Sequence, residues 1–206
     1  NGLSSFLFHA VNKDDKNSAL LYPQERITLN LFEKFIVSLL ENNYTFISPN
    51  DITNGPANPN KKYGLITFDD GYFNNTWIVD ILNKYQVPAT FFVSTSLITE
   101  NEKNWPDVIY FERHKRGTTD DEVHKEVVWL SSQRIKAIKD YIAKEFGNKS
   151  FIPQGDEDRM LNQKELLTFS KNNLVHIGNH SHNHEALGNL TKHEVINELS
   201  ESQQIF

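Results

Sequence analysis

The 206-residue chain contains no cysteine. That excludes a disulfide framework and a thiolate-held metal, so any metal here must be held by His, Asp or Glu. No apolar run approaches the roughly 20 residues of a membrane-spanning helix. A dense Lys/Arg stripe is missing too. With 27 acidic against 21 basic residues and a formal charge of −6, the balance argues against nucleic acid as a partner. The apolar opening, Leu3 to Val11, is short and follows no basic stretch, so it reads as a buried strand and not as a secretion signal. There is no internal repeat and no low-complexity segment. The length fits one domain with a sizeable core.

What is present alternates between strand and helix patterns. After the opening strand comes a polar loop at 12–17. Thr28 then precedes Leu31, Phe32, Phe35, Ile36, Leu39 and Leu40 at helical spacing, a pattern for an N-capped amphipathic helix. Tyr44 to Ile47 reads as a second strand, and 54–62 as an Asn/Pro/Gly loop. Gly64-Leu65-Ile66-Thr67-Phe68 is the clearest strand and runs into Asp69-Asp70-Gly71. A helix presenting Ile78, Ile81, Leu82 and Tyr85 follows, then Pro88 and the strand Ala89 to Val93. Strand, helix, strand in this order implies a parallel α/β sheet. Residues from about 101 to 158 are charged and helical, an insertion into the βα pattern within a single domain spanning 1–206. Gly155-Asp156-Glu157-Asp158 reads as a solvated turn. A helix near 163–172, a strand at 174–177 and a helix opened by the Thr191/Glu194 capping box complete the chain.

Two strand ends collect the chemistry. Adjacent carboxylates at the C-terminal end of a buried parallel strand are costly unless something uses them, and sites in α/β folds gather at that end. Neighbouring residues point different ways, so one of Asp69 and Asp70 can hold a metal while the other faces a water. Positions i and i+4 of His180-Ser181-His182-Asn183-His184 face the same way on a helical or tightly turned segment, and on an extended one His182 would join them; the spacing leaves the ligand set open. A carboxylate with two imidazoles leaves open positions on a divalent metal, which can polarise a carbonyl and acidify a water. The second carboxylate would take the proton. If the two sites meet, the outcome is a hydrolase for an amide or ester.

The other histidines take plainer readings. His9 either points into the same mouth or packs in the core. His114, His124 and His193 read as solvated, His176 as structural. Trp77, Trp105 and Trp129 read as packing residues before sugar platforms.

Thr67-Phe68-Asp69-Asp70-Gly71 resembles the first motif of the polysaccharide deacetylases (the NodB-homology proteins, carbohydrate esterase family 4). Pro88 to Val93 resembles their next strand, and Gly178-Asn179 with His180 to His184 their second motif. The resemblance covers 3–98 and 160–206. It implies a distorted (β/α) barrel, Asp69 as general base, and Asp70, His180 and His184 as metal ligands, with His182 outside the ligand set. The implied metal is Zn2+, with Co2+ or Ni2+ as alternatives. The implied substrate is an acetylated, N-acetylglucosamine-type glycan of the bacterial cell envelope. A hydrolase of small non-peptide amides and a non-catalytic metal-retaining glycan binder are the competing functions. The family's later motifs, which carry an Arg that orients the base and a His acid, are not found before Phe206, so the native protein is expected to be longer.

Overall fold

The computed structural model describes residues 2–16, 20–23, 26–55, 58 and 60–205. Residue 17 of the loop read at 12–17, and residues 56, 57 and 59 of the loop read at 54–62, lie outside them. The architecture is α/β, as expected. Among the described residues five strands, β1 (Gly2–Phe8), β2 (Tyr44–Phe46), β3 (Lys62–Phe68), β4 (Ala89–Val93) and β5 (Val175–Asn179), form one parallel sheet, in the order β1-β3-β4-β5 with β2 paired to β3 off this path. β3 is its hub. β1 runs along all of β3, from Gly2 opposite Lys62 to Phe8 opposite Phe68; β2 pairs with its first three residues and β4 with its last three.

Local sequence explains the elements that hold this sheet. Thr28 Oγ1 accepts from Leu31 N at 3.2 Å and starts α1 (Leu29–Glu41), which buries Phe32 and Ile36. Val79–Tyr85 forms α3, entered through a 3-10 turn at Phe73–Ile78, and Leu82 and Ile78 are fully buried. The short α2 (Pro49–Thr53) has a Ser48/Asp51 capping box. In the core, Phe8 stacks on Phe68 (5.3 Å between centroids), Phe68 on Phe91 (5.0 Å), and Phe91 meets Phe169 edge-on (4.7 Å). Aromatic pairs in these geometries add about 0.5–1.5 kcal/mol each beyond their buried area.

The opening strand departs from its expected burial. Leu3 and Leu7 are 49% and 57% exposed, while Phe6 and Phe8, on the other face, pack against Phe35 of α1. β1 lies at one end of the strand path, and alternation leaves one of its faces uncovered. A continuous apolar run does not distinguish that case from burial on both faces.

The segment 101–158 is helical, as read. It contains α5 (Trp105–Lys115), α6 (Asp120–Ser131) and α7 (Ile135–Phe146), following α4 (Thr95–Glu100). These helices build a second hydrophobic cluster around Ile109, Val123, Leu130 and Ile142, separate from the core beneath the sheet. His114 is a correction. Its side chain is only 6% exposed and lies 3.0 Å from Asp120, because α6 packs back across α5. Asp158 is another: it is bonded within its turn and also pairs with the buried Lys103 at 2.7 Å. The chain closes with α8 (Gln163–Phe169) and α9 (Lys192–Gln203). Both carry complete capping boxes, from Asn162/Glu165 and Thr191/Glu194. No helix among the described residues is long and apolar enough to cross a membrane.

Candidate metal centre

The two polar strand ends meet. β3 delivers Asp69 and Asp70, and β5 delivers the loop from His180. Asp69 N donates to Phe8 O (3.0 Å) and His180 N to Val93 O (3.1 Å), so both loops are fixed to neighbouring strand ends from their first residue. Asp70 turns through φ 77°, a left-handed conformation unusual for a non-glycine residue. Gly71 follows at φ 96°, where a Cβ would sit 2.8 Å from Val93 Cγ1; both the angle and the space demand glycine. Gly178 is required by space alone, since a Cβ there would meet the Phe92 ring at 2.5 Å.

The histidine segment is a tight loop, not a helix. Ser181 (φ 65°) and His184 (φ 54°) are left-handed, and this folding brings the rings of His180 and His184 to 5.1 Å. Asn179 Oδ1 accepts from Ser181 N at 2.7 Å, and Ser94 Oγ donates to His180 O at 2.9 Å. Glu198 of α9 lies beneath. The residue is 7% exposed, and its carboxylate accepts from the backbone N–H of His182 (3.1 Å) and Asn183 (2.7 Å) and from Asn183 Nδ2 (2.6 Å). Glu185, just beyond the loop, is clasped by Arg134 and by Ile135 N at the start of α7.

The centre itself is compact. His184 Nε2 lies 3.0 Å and His180 Nε2 3.4 Å from Asp70 Oδ1. One ligand atom each from Asp70, His180 and His184 fall within 4.8 Å of one another. Asp69 stands beside them, its Oδ2 3.9 Å from His180 Nε2. His182 turns away: its Nδ1 is 2.8 Å from Thr95 Oγ1 and its Nε2 3.7 Å from Glu201. His9 is close enough to act electrostatically on both aspartates.

Burial works against ionised Asp70, but His184 and His180 outweigh it and hold the carboxyl well below the usual carboxylate range. Asp69 goes the other way. Burial raises it, Asp70 adds to the rise, and His180 only partly opposes. Two adjacent carboxyls are thereby driven apart, one kept anionic and one made a better proton acceptor.

The donor set fits a divalent metal. Asp70 Oδ1 is buried and takes no hydrogen bond of acceptable geometry, although it faces two imidazole nitrogens. A buried carboxylate oxygen that meets two imidazole nitrogens without a hydrogen bond from either is costly, and a cation between it and the rings would relieve that cost. One oxygen and two nitrogens match zinc chemistry. Two clefts, of about 360 and 410 Å³, open beside His184; Trp105 and Ile135 line both, and His180 lines the larger.

Sequence patterns gave no sign of four contributors: Asn104, whose Nδ2 donates to Asp70 Oδ2 at 2.9 Å, Lys103, Glu198 and Arg134. Asn104 reads as an ordinary cap before a Pro-bearing helix, and Glu198 as a solvated position of α9.

Comparison with known proteins bears on the fold and the family. No curated protein sequence matches the chain. Among solved structures, the Streptococcus pyogenes deacetylase PplD, in complex with acetate, superposes with a TM-score of 0.59 at 17% identity, covering 98% of this chain and 66% of that one. A de-N-acetylase from Aggregatibacter actinomycetemcomitans gives 0.52 at 18% identity, covering 87% of this chain and 54% of that one. The chain thus spans about two thirds of the first structure and about half of the second. A family model for polysaccharide deacetylases matches residues 57–206, from before β3 to the last residue. With both of the matched strand ends converging on one centre, the chain belongs to the polysaccharide deacetylase family.

Proposed function

We propose that this protein is a metal-dependent hydrolase that removes acetyl groups from N-acetylated sugars of a glycan, of the N-acetylglucosamine type. The observation that carries the reading is the buried Asp70 carboxylate, with one oxygen unbonded and turned toward two imidazole nitrogens. Asp70, His180 and His184 would hold the metal, Zn2+ by donor type. When bound, it would supply Lewis-acid polarisation of the acetamide carbonyl and a more acidic water.

The remaining work falls to the chain's own groups. Asp69 is beside the ligands without being needed among them. Its raised proton affinity suits it to take a proton from the attacking water, as a general base. The ring nitrogens turned toward Asp70 keep that neighbour anionic, so the two carboxyls do not exchange roles. The clefts beside His184 offer the substrate a way in, walled on one side by the helical segment. The family match supports a polysaccharide substrate, and acetate is what the similar Streptococcus pyogenes deacetylase holds.

The test pairs two measurements on the wild type and on Asp69→Asn: metal content by elemental analysis, and acetate release from acetylated chito-oligomers. The variant is expected to keep its metal and lose roughly 10²–10⁴-fold in rate. Undiminished hydrolysis in the variant would remove Asp69 as base. Release from simple amides but not from chito-oligomers would replace the glycan with a small amide substrate.

A further inference from the structure

Between α4 and α5 the chain crosses beside the centre as a short strap, Lys103–Asn104. Both residues are polar, yet they are only 4% and 2% exposed. The strap is pinned on each side of its first residue. Lys103 N donates to Phe151 O at 2.9 Å, and Nζ lies 2.7 Å from Asp158 and 4.8 Å above the Phe111 ring. Asn104 occupies the N-cap of α5, where an Asn side chain ordinarily accepts from an amide of the first turn. Here it makes no such bond. Its Nδ2 is directed instead to Asp70 Oδ2, at 2.9 Å and fully enclosed.

That choice matters because the two oxygens of Asp70 are not equivalent. Oδ2 is engaged by Asn104, and Oδ1 faces His180 and His184 without a hydrogen bond. A carboxylate free to turn about its terminal bond presents either oxygen, or both. A buried donor on one of them fixes the plane and offers the other. We propose that Asn104 is a positioning residue of the metal centre: it sets the orientation of the Asp70 carboxylate, which makes the helical segment part of the device that holds the metal. The inference rests on the reading of Asp70 as a ligand. Outer partners of metal ligands commonly govern affinity by orienting them.

Two variants separate this role from a structural one. Asn104→Leu keeps the branched shape, at a somewhat larger volume, and removes the donor. Asn104→Ser can supply the side-chain cap that α5 lacks but is too short to reach Asp70. Each is stripped of metal, titrated with Zn2+ against a competing chelator, and melted in the metal-free state. Both variants are expected to bind zinc roughly 10–100-fold more weakly than the wild type, with Asn104→Ser melting close to it. Affinities within about twofold of the wild type in the folded variants would overturn the role of Asn104 and leave the metal site standing. If the wild type itself takes up no zinc, the site and the inference fall together. Should Asn104→Leu fail to fold, Asn104→Ser alone decides.

Discussion

The loops at the ends of β3 and β5 and the helical segment 101–158 serve one centre by opposite means. The loops are short, left-handed at Asp70, Ser181 and His184, and carry every proposed reactive group in two contiguous stretches. The helices are regular, with their own apolar cluster, and meet the centre and its histidine loop at their N-terminal ends, through Asn104, Arg134 and the amide of Ile135. Strain of this kind, about 1–3 kcal/mol for each such residue, persists only where the surroundings over-determine it. Part of that surrounding is the helical segment. Chemistry is therefore local in the sequence, and its support is not.

Four perturbations test that division, beginning with the most severe. Ile142→Ala empties a fully buried position of the helical cluster and should destabilise by about 2–5 kcal/mol in denaturant unfolding. If the segment is a true support, zinc affinity should weaken with it; unchanged affinity would make the two regions independent. Glu198→Gln keeps shape but turns an acceptor of loop amides partly into a donor. A loss of about 1–3 kcal/mol is expected, and a smaller one would mean that the strand bonds alone hold the histidine loop.

The third perturbation is acid. Glu194 joins α9 to Arg134 of the helical segment. Arg134 first, and then Thr191, lower its carboxyl from 4.5 to about 2. A lowered folded-state value means that this contribution is present above pH 4.5 and is lost as pH falls toward about 2. Glu194→Gln should flatten acid unfolding in that window; an unchanged curve would show that the bridge does not couple the regions. The mildest is Lys136→Ala, which deletes an exposed i,i+4 pair with Asp140 (85% and 68% exposed side chains) and should shift stability by no more than about 0.5 kcal/mol.

Much of this was legible in the residues. The helix from Thr28, the strands at 64–68 and 89–93 and the capping box at Thr191 follow from spacing and capping rules, which act over a few residues. Asp69-Asp70 and the histidine cluster were conspicuous because buried charge needs a reason. The half-exposed face of β1 was hidden, since exposure depends on which strand lies alongside and not on the strand itself. So were the buried His114 and the Lys103–Asp158 pair, in a stretch that reads as solvated charge. Asn104 was hidden most completely. Its partner is 34 positions away, and nothing in its neighbours departs from an ordinary helix start.

The bond from Ser94 to His180 joins positions 86 apart in the chain, and most of that span is the helical segment. Closing a loop of this length from an unfolded chain is entropically expensive, but the expense grows only logarithmically with the length that is still free. Helices that condense early on their own apolar cluster shorten it. A helical segment already formed would leave less free chain to close when β4 meets β5. Whether the helical segment outlasts the histidine loop is a ranking that amide hydrogen exchange reads residue by residue.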